Sequence, residues 1–357
     1  QNYSHRQIIN QIELIGGELN AFTTKEITVV YAHALSTYLG KVYKLLKDIV
    51  LKNKISQTGI DKEKLIIREE MAMYEDSPEE LIYDEFTELL FEKSKYGSSI
   101  LGTRESLNNI NQNDLEDFYQ TYYRNDNMVL SVVSNLSLKA VLKKLDEKEL
   151  TSKAEHSSTV TDEIISSTNS DQERQIFTVH KAKSLAQNYI CLGAQAYSHR
   201  NPKRIALLLL NNILGGPGMN SKLNLELREK NAWTYHIESN YSAFKNKGLF
   251  TISLATDADK SLRSIRRIKK ILLSICTSDI SERTLKQAKK QFVNQLLMAE
   301  ESKHSQMIFN GKQLLWFGNT ETVKHFLDMV ETITPETIKQ VANEVLHPSK
   351  ISLLIYK

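Results

Sequence analysis

The sequence of 357 residues predicts an α+β protein built from two homologous halves, each an α/β sandwich with a mostly antiparallel sheet covered by helices. Three observations lead to this prediction. Strand and helix patterns alternate with hairpin-like strand pairs, one spacing of matched elements occurs twice, and one segment of distinct composition divides the chain. The first half is expected to be incomplete at its N-terminus, because two strands and a helix of the second half have no counterpart in it.

The dividing segment covers residues 151–171. It is rich in Ser and Thr, poor in aromatic residues and without sustained periodicity, a composition typical of a linker. The predicted organisation is therefore a first half over residues 1–150, a linker over 151–171 and a second half over 172–357.

The repeated spacing lies near the end of each half, where a helix pattern leads to a strand pattern. Ile110 and Val129 are separated by the same number of positions as Ile333 and Ser352. Two matched elements at one shared spacing favour a duplication. The pattern predicts a closing strand at the end of each half, over residues 127–133 and 350–356.

Other elements follow from local patterns. Ser77-Pro78-Glu79-Glu80 has the pattern of a capping box with Pro at the first helical position, so a helix that ends near Glu75 should stop there and a new one begin. Apolar runs predict further strands, and one long apolar run predicts a helix over residues 202–214. The predicted strands cover residues 27–35, 174–180, 187–193 and 249–255.

Composition excludes several classes of protein. A hydrophobic share of 41%, a charged share of 25% and a formal net charge of +3 are ordinary for a globular chain. The basic run from Arg263 to Lys270 lacks interleaved aromatic residues, so no nucleic-acid partner is predicted. No run is apolar enough to predict a membrane span. The two cysteines, Cys191 and Cys276, lie in apolar runs and are interpreted as core residues.

Several motifs together resemble one family. The first half contains Gly16-Gly17-Glu18-Leu19-Asn20-Ala21-Phe22-Thr23, then Glu63 and Glu70 seven positions apart; the second contains Gly215-Gly216, Leu227-Arg228-Glu229 and Tyr235. This set resembles the insulinase/pitrilysin family of zinc metallopeptidases, in its two-domain, mitochondrial-processing-peptidase-like branch. The resemblance covers nearly the whole chain. It implies a zinc-dependent metalloendopeptidase that cleaves peptides or unfolded protein segments in an enclosed cavity.

The resemblance also implies the zinc ligands. In the family, the motif H-x-x-E-H supplies two histidines and a general base, and a later glutamate, matched here by Glu70, is the third ligand. Glu63 matches a glutamate that supports the metal site by orienting a ligand histidine. Without the resemblance, Glu63 and Glu70 are interpreted as surface acids beside Lys62, Lys64 and Arg68.

None of the nine histidines lies in an H-x-x-E-H motif. We therefore expect this chain alone to bind no catalytic zinc and to be inactive, since Glu70 offers only one of three ligands. The duplication predicts about 50 further residues before Gln1 that carry the motif.

The resemblance places substrate at two further segments. Asn20, Ala21 and Phe22 match the strand along which a peptide pairs, with Phe22 lining a side-chain pocket; the alternative is an ordinary edge strand. Arg228 and Tyr235 match a pair that donates hydrogen bonds to substrate carbonyls. The alternative for Arg228 is a surface ion pair with Glu226 or Glu229.

Two other features carry no functional prediction. The loop that starts at Gly215-Gly216 has the glycines of a phosphate loop but lacks the Walker spacing and follows a helix. We expect a flexible loop whose glycines adopt positive φ. His180, His199 and His236 are dispersed, lack the spacing of metal ligands and are interpreted as structural.

The resemblance leaves the assembly open between two outcomes. The chain keeps both Glu70 and the pair Arg228 and Tyr235, which favours a homodimer over a heterodimer with a related subunit. The rival to the enzyme is a non-catalytic paralogue that acts as a scaffold or partner subunit of an active peptidase. The absence of H-x-x-E-H from the sequence favours this rival, and the four retained residues oppose it.

Overall fold

The computed structural model describes residues 5–52, 54–92, 94–145 and 176–357. The chain divides into two compact units, each assembled from separate segments. Unit 1 comprises residues 1–69, 100–171 and 302–320; unit 2 comprises residues 70–99, 172–301 and 321–357. The predicted linker, residues 151–171, lies outside the described residues, so the predicted domain boundaries stay a prediction.

Unit 1 holds a two-stranded sheet and short helices. Its strands are β1 (Glu18–Thr23) and β2 (Thr28–His33), and its helices are α1 (His5–Glu13), α2 (Leu39–Leu51), most of α3 (Gln57–Glu75), α5 (Arg104–Asn109), α6 (Gln112–Tyr122), α7 (Leu138–Lys144) and α11 (Lys303–Phe317). A small apolar core of Ile12, Val42 and Leu45 joins α1 and α2 to the hairpin.

The turn between α1 and β1 explains the two adjacent glycines. Gly16 has a φ of +64°, a left-handed conformation that glycine adopts without a steric penalty. At Gly17, an added Cβ would lie 2.9 Å from the carbonyl oxygen of His33 in β2. The first glycine therefore ends the helix, and the second lets β1 approach β2.

Unit 2 contains the large sheet. Its strands are β3 (Thr178–Lys181), β4 (Asn188–Ala196), β5 (Ile237–Ala243), β6 (Gly248–Thr256) and β7 (Ser352–Tyr356); its helices are the end of α3, α4 (Pro78–Leu90), α8 (Arg204–Gly215), α9 (Ala258–Thr277), α10 (Glu282–Glu300), α12 (Val323–Glu331) and α13 (Pro335–Val341). The strand order is β3-β7-β4-β6-β5. Only the β3–β7 pair is parallel among the pairs of this sheet.

Both faces of the interior strands β4, β6 and β7 are covered, which explains why these strands are mostly buried along their length, whereas the edge strands β3 and β5 alternate. On one face, Leu192 and Phe250 pack into the main core with α8 and α9. On the other face, Cys191 and Leu249 pack against Phe86 of α4. The prediction of a mixed helix-and-sheet protein with mostly antiparallel sheets covered by helices is confirmed.

The helix break after Glu75 is confirmed as well, but not by the predicted capping box. Helix α3 ends at Glu75 and α4 begins at Pro78. Ser77 has an extended backbone and its side chain makes no capping hydrogen bond. A proline disfavours the helical region for the residue before it, which accounts for the extended Ser77 between the two helices.

One predicted strand is wrong. The closing strand of the second half is observed as β7, whereas residues 128–134 of the first half form no strand. The described part of unit 1 has no strand that hydrogen bonds with this segment. A strand pattern forms a ladder only when a neighbouring strand supplies partners for its backbone groups.

No helix among the described residues is both long and apolar enough to span a membrane.

Candidate functional site

Glu63 and Glu70, the predicted metal-site residues, both lie on helix α3 and are exposed. Seven residues are close to two helical turns, so the two carboxylates share one side of the helix, about 10 Å apart along its axis. Two basic neighbours point elsewhere. The Lys64 ammonium donates to the carbonyl oxygens of Asn108 and Ile110, and Arg68 donates to the side-chain oxygen of Asn108.

The described residues do not fit a catalytic zinc. Within residues 5–52, 54–92, 94–145 and 176–357, no group of three or more His, Cys, Asp and Glu side chains is arranged to hold a metal ion. A catalytic zinc needs three protein ligands. Glu70 as a ligand and Glu63 as its support therefore stay predictions.

Asn20, Ala21 and Phe22 form the middle of β1. The register pairs Asn20 with Tyr31 and Ala21 with Val30. The hairpin closes where the backbone N–H of Thr24 donates to the carbonyl of Ile27 at 2.8 Å. Bonded and non-bonded pairs alternate along an antiparallel ladder. Asn20 therefore bonds with β2, whereas Ala21 turns its N–H and C=O to the opposite edge.

That opposite edge of β1 is unpaired in the described part of the chain. The N–H of Ala21 donates to the side-chain oxygen of Asn20 at 2.8 Å, which satisfies the group locally. Both residues are exposed. β1 is thus an edge strand, as both interpretations of the sequence require.

Phe22 has contacts that the sequence did not predict. Its ring is half-buried and makes an edge contact with Tyr31 at a centroid distance of 6.1 Å. The Lys312 ammonium of α11 lies 5.7 Å from the centre of the Phe22 ring, and burial lowers the pKa of Lys312. No local signal links two residues so far apart in sequence. A role for Phe22 in a substrate pocket stays a prediction.

Arg228 lies in a π-helical segment, Asn224–Glu229, which the fully buried Leu227 anchors to the core. Ala232, three residues beyond the end of this segment, has a φ of +48°, which is unusual for a residue with a Cβ. Just beyond, the Thr234 hydroxyl donates to the carbonyl of Ala255 at 2.7 Å. The buried Leu227 and the Thr234 hydrogen bond therefore hold the backbone at the two ends of the short connection from Arg228 to Tyr235.

The two glutamates near Arg228, Glu226 and Glu229, contact different arginines. Arg267 donates through Nε to a Glu226 carboxylate oxygen at 2.9 Å, and this hydrogen bond lowers the pKa of the Glu226 carboxyl. Arg228 Nε lies 3.4 Å from a Glu229 oxygen, with a third of its side chain exposed. This contact is the ion pair that the sequence offers as the alternative.

Arg228 is also in contact with Tyr235. The guanidinium carbon lies 5.2 Å from the centre of the Tyr235 ring, a cation–π contact. The Tyr235 side chain is 85% exposed, so its hydroxyl is presented to solvent. The two donors are adjacent, and their action on a substrate stays a prediction.

The Gly215-Gly216 turn corrects the expectation of positive φ. Gly216 has a φ of −64°, and neither glycine is in the left-handed region. An added Cβ at Gly215 would lie 2.7 Å from the backbone nitrogen of Ser239 in β5. Close approach of α8 to β5, and not backbone conformation, requires the glycine.

Comparison with known proteins decides the family. The insulinase model, peptidase family M16, matches residues 1–104, and the model of the M16 inactive domain matches residues 109–292. The chain belongs to the insulinase family, M16. The family resemblance predicted from the motifs is confirmed, whereas the processing-peptidase-like branch stays a prediction.

Relatives of this M16 protein are named as zinc proteases. The uncharacterized zinc protease YmxG of Bacillus subtilis is 28% identical over 348 residues, which cover 96% of this chain and 81% of the relative. An uncharacterized zinc protease of Rickettsia bellii is 27% identical, with 98% of this chain and 82% of the relative covered.

Two solved structures support the fold. A protease from Helicobacter pylori has a TM-score of 0.86 at 17% identity, covering all of this chain and 85% of the other. The M16 inactive domain from Pseudomonas fluorescens has a TM-score of 0.84 at 18% identity, covering 99% of this chain and 84% of the other.

Proposed function

We propose that this M16 protein functions in zinc-dependent endoproteolysis of peptides or unfolded protein segments, which it binds as an added strand along the outer edge of β1. Membership of the M16 family and the names of its relatives support the protease class. The observation that carries the proposal is the exposed outer edge of β1 at Asn20 and Ala21.

An extended peptide needs unpaired backbone groups and an accessible edge. Leu19, Ala21 and Thr23 alternate with the residues that bond to β2, so their N–H and C=O groups face the outer edge. A peptide that pairs at Ala21 must replace the Asn20 side-chain oxygen, which accepts the Ala21 N–H. The Asn20 side chain therefore accepts the hydrogen bond of the Ala21 N–H when no peptide is bound, and it releases this N–H when a peptide binds.

Four other residues have proposed roles in cleavage. Glu70 supplies one carboxylate ligand and Glu63 its support, together with histidines that these 357 residues do not contain in the required motif. Arg228 and Tyr235 donate hydrogen bonds to substrate carbonyls and to the negative charge that develops during cleavage. The cation–π contact between them supports a shared orientation.

Ala21→Pro tests the edge. Proline removes the outward N–H of Ala21 and places its ring on the edge, where strands tolerate it. We expect binding of a fluorescein-labelled unfolded peptide, measured by fluorescence anisotropy, to weaken roughly tenfold or more, since one backbone hydrogen bond and its neighbours are lost.

Val30→Pro is the matched control. Val30 is the register partner of Ala21 in β2, so its N–H faces the far edge of the same hairpin. Peptide affinity should stay close to that of the unmodified protein, with circular dichroism used to confirm that both variants fold. An equal loss of affinity in both variants, or none in Ala21→Pro, would exclude binding at the β1 edge.

A second candidate is a non-catalytic paralogue that acts as a scaffold or partner subunit. The match of residues 109–292 to a model described as an inactive domain favours it. This candidate predicts that the protein forms a complex with a related active subunit and that substitutions at Arg228 or Tyr235 leave cleavage by that complex unchanged.

We also propose a homodimer as the assembly, with a heterodimer with a related subunit as the alternative. The retention of Glu70 together with Arg228 and Tyr235 in one chain supports two equivalent subunits. Analytical ultracentrifugation of the purified protein distinguishes a dimer from a monomer that requires a different partner.

A further inference from the structure

Two imidazole rings meet in unit 1, at a place that the peptidase proposal does not use. His33 is the last residue of β2, and His304 lies in the first turn of α11. The Nε2 atom of His33 lies 3.1 Å from the Nδ1 atom of His304. The two residues are 271 positions apart in sequence, so the fold alone creates this pair.

We propose that these two nitrogens bind a divalent transition-metal ion such as Zn²⁺, Ni²⁺ or Cu²⁺. With metal–nitrogen bonds of about 2.0 to 2.1 Å, two ligands of a tetrahedral ion lie about 3.3 Å apart. Two adjacent ligands of a square-planar ion lie about 2.9 Å apart. The observed 3.1 Å falls between these values, so a small movement of either ring accommodates either geometry.

The surroundings of His33 orient its ring for this role. Its Nδ1 atom lies 3.4 Å from a carboxylate oxygen of Glu18, the register partner of His33 in β1. When Nδ1–H faces this carboxylate, Nε2 carries a lone pair, which can bind a metal ion once the ring turns it off the line to His304. A carboxylate behind a ligand histidine selects the tautomer and fixes the orientation of the ring.

Tyr31 packs against both imidazoles, and part of the His33 side chain is exposed to solvent. The ring of Tyr31 contacts both imidazoles, at centroid distances of 5.4 Å to His33 and 4.8 Å to His304. The His33 side chain remains 41% exposed. Water can therefore reach the metal and complete its coordination, as two protein ligands require.

A simple hydrogen bond between the imidazoles explains the same distance without a metal. In that case one ring nitrogen donates its proton to the other. In the metal-bound form both nitrogens are deprotonated and face the ion, which then joins β2 to α11. The two explanations differ in stoichiometric metal binding and in the effect of metal on stability.

The test uses the protein with Zn²⁺, Ni²⁺ or Cu²⁺ added alone. We expect isothermal titration calorimetry to show one site and each metal to raise the melting temperature. His33→Gln and His304→Asn place an amide nitrogen near the original ring nitrogen, so they retain a hydrogen-bonding group without an imidazole. Each should weaken metal affinity at least about tenfold and abolish the metal-dependent rise in melting temperature.

His236→Gln is the matched control. The Nε2 atom of His236 lies 3.5 Å from the Glu238 carboxylate, with 64% of its side chain exposed, so it has a carboxylate neighbour like His33. This variant should bind metal as the unmodified protein does. Electron paramagnetic resonance of the Cu²⁺ form should show two coordinated imidazole nitrogens. Unchanged affinity in His33→Gln and His304→Asn, or a single coordinated nitrogen, would overturn the proposal.

Discussion

Replacing Tyr235 by Phe is expected to lower peptide turnover roughly 10²- to 10³-fold, because it removes the hydrogen-bond donor that we propose for the transition state. The substitution removes the hydroxyl and keeps the ring on which the Arg228 guanidinium lies. Since the side chain is 85% exposed, no buried contact is lost and the melting temperature should stay nearly the same. kcat and KM are measured with a quenched fluorescent peptide, on a form that carries the H-x-x-E-H histidines.

The matched control for this prediction is Tyr122→Phe. Tyr122 is also exposed, at 48%, and has no proposed contact with substrate. Its substitution should leave both turnover and stability unchanged. If Tyr235→Phe cleaves peptides at the rate of the unmodified form, the catalytic role proposed for Tyr235 is excluded.

Gly193→Ala is expected to lower the free energy of unfolding by about 3 kcal/mol, the upper range of core overpacking. An added Cβ would lie 2.3 Å from the carbonyl oxygen of Phe250 and 2.9 Å from a ring carbon of Phe86. Neither group can move easily, because Phe250 is in the interior strand β6 and Phe86 is fully buried. The measurement is chemical denaturation followed by circular dichroism, with equal m-values required for the comparison.

Gly59→Ala tests whether the loss of stability is specific to position 193. Gly59 is exposed in the first turn of α3, and its added Cβ would meet only the Ser56 hydroxyl, at 3.1 Å. Alanine in a helix is favoured over glycine by roughly 0.5 to 1 kcal/mol. Gly59→Ala should therefore be neutral or stabilising. A change of less than 0.5 kcal/mol in Gly193→Ala would contradict the close approach of β4 to its neighbours.

Local sequence patterns were sufficient for the class, the family and many of the elements. The end of α3 at Glu75 and the start of α4 at Pro78 follow from the steric effect of proline on the preceding residue. Strands such as β6 and β7 follow from apolar runs that are buried on both sides. Such signals involve neighbouring residues only, so they can be recognised before the chain folds.

Tertiary structure decided the features that need a distant partner. The run at residues 127–133 has the composition of a strand, but no described strand pairs with it. The proximity of His33 to His304, and of Phe22 to Lys312, depends on where α11 contacts the β1–β2 hairpin. Backbone preference is a property of a short segment, whereas pairing and side-chain contact depend on segments that approach only in the folded chain. The sequence therefore identified the peptidase motifs, and only the fold revealed the imidazole pair.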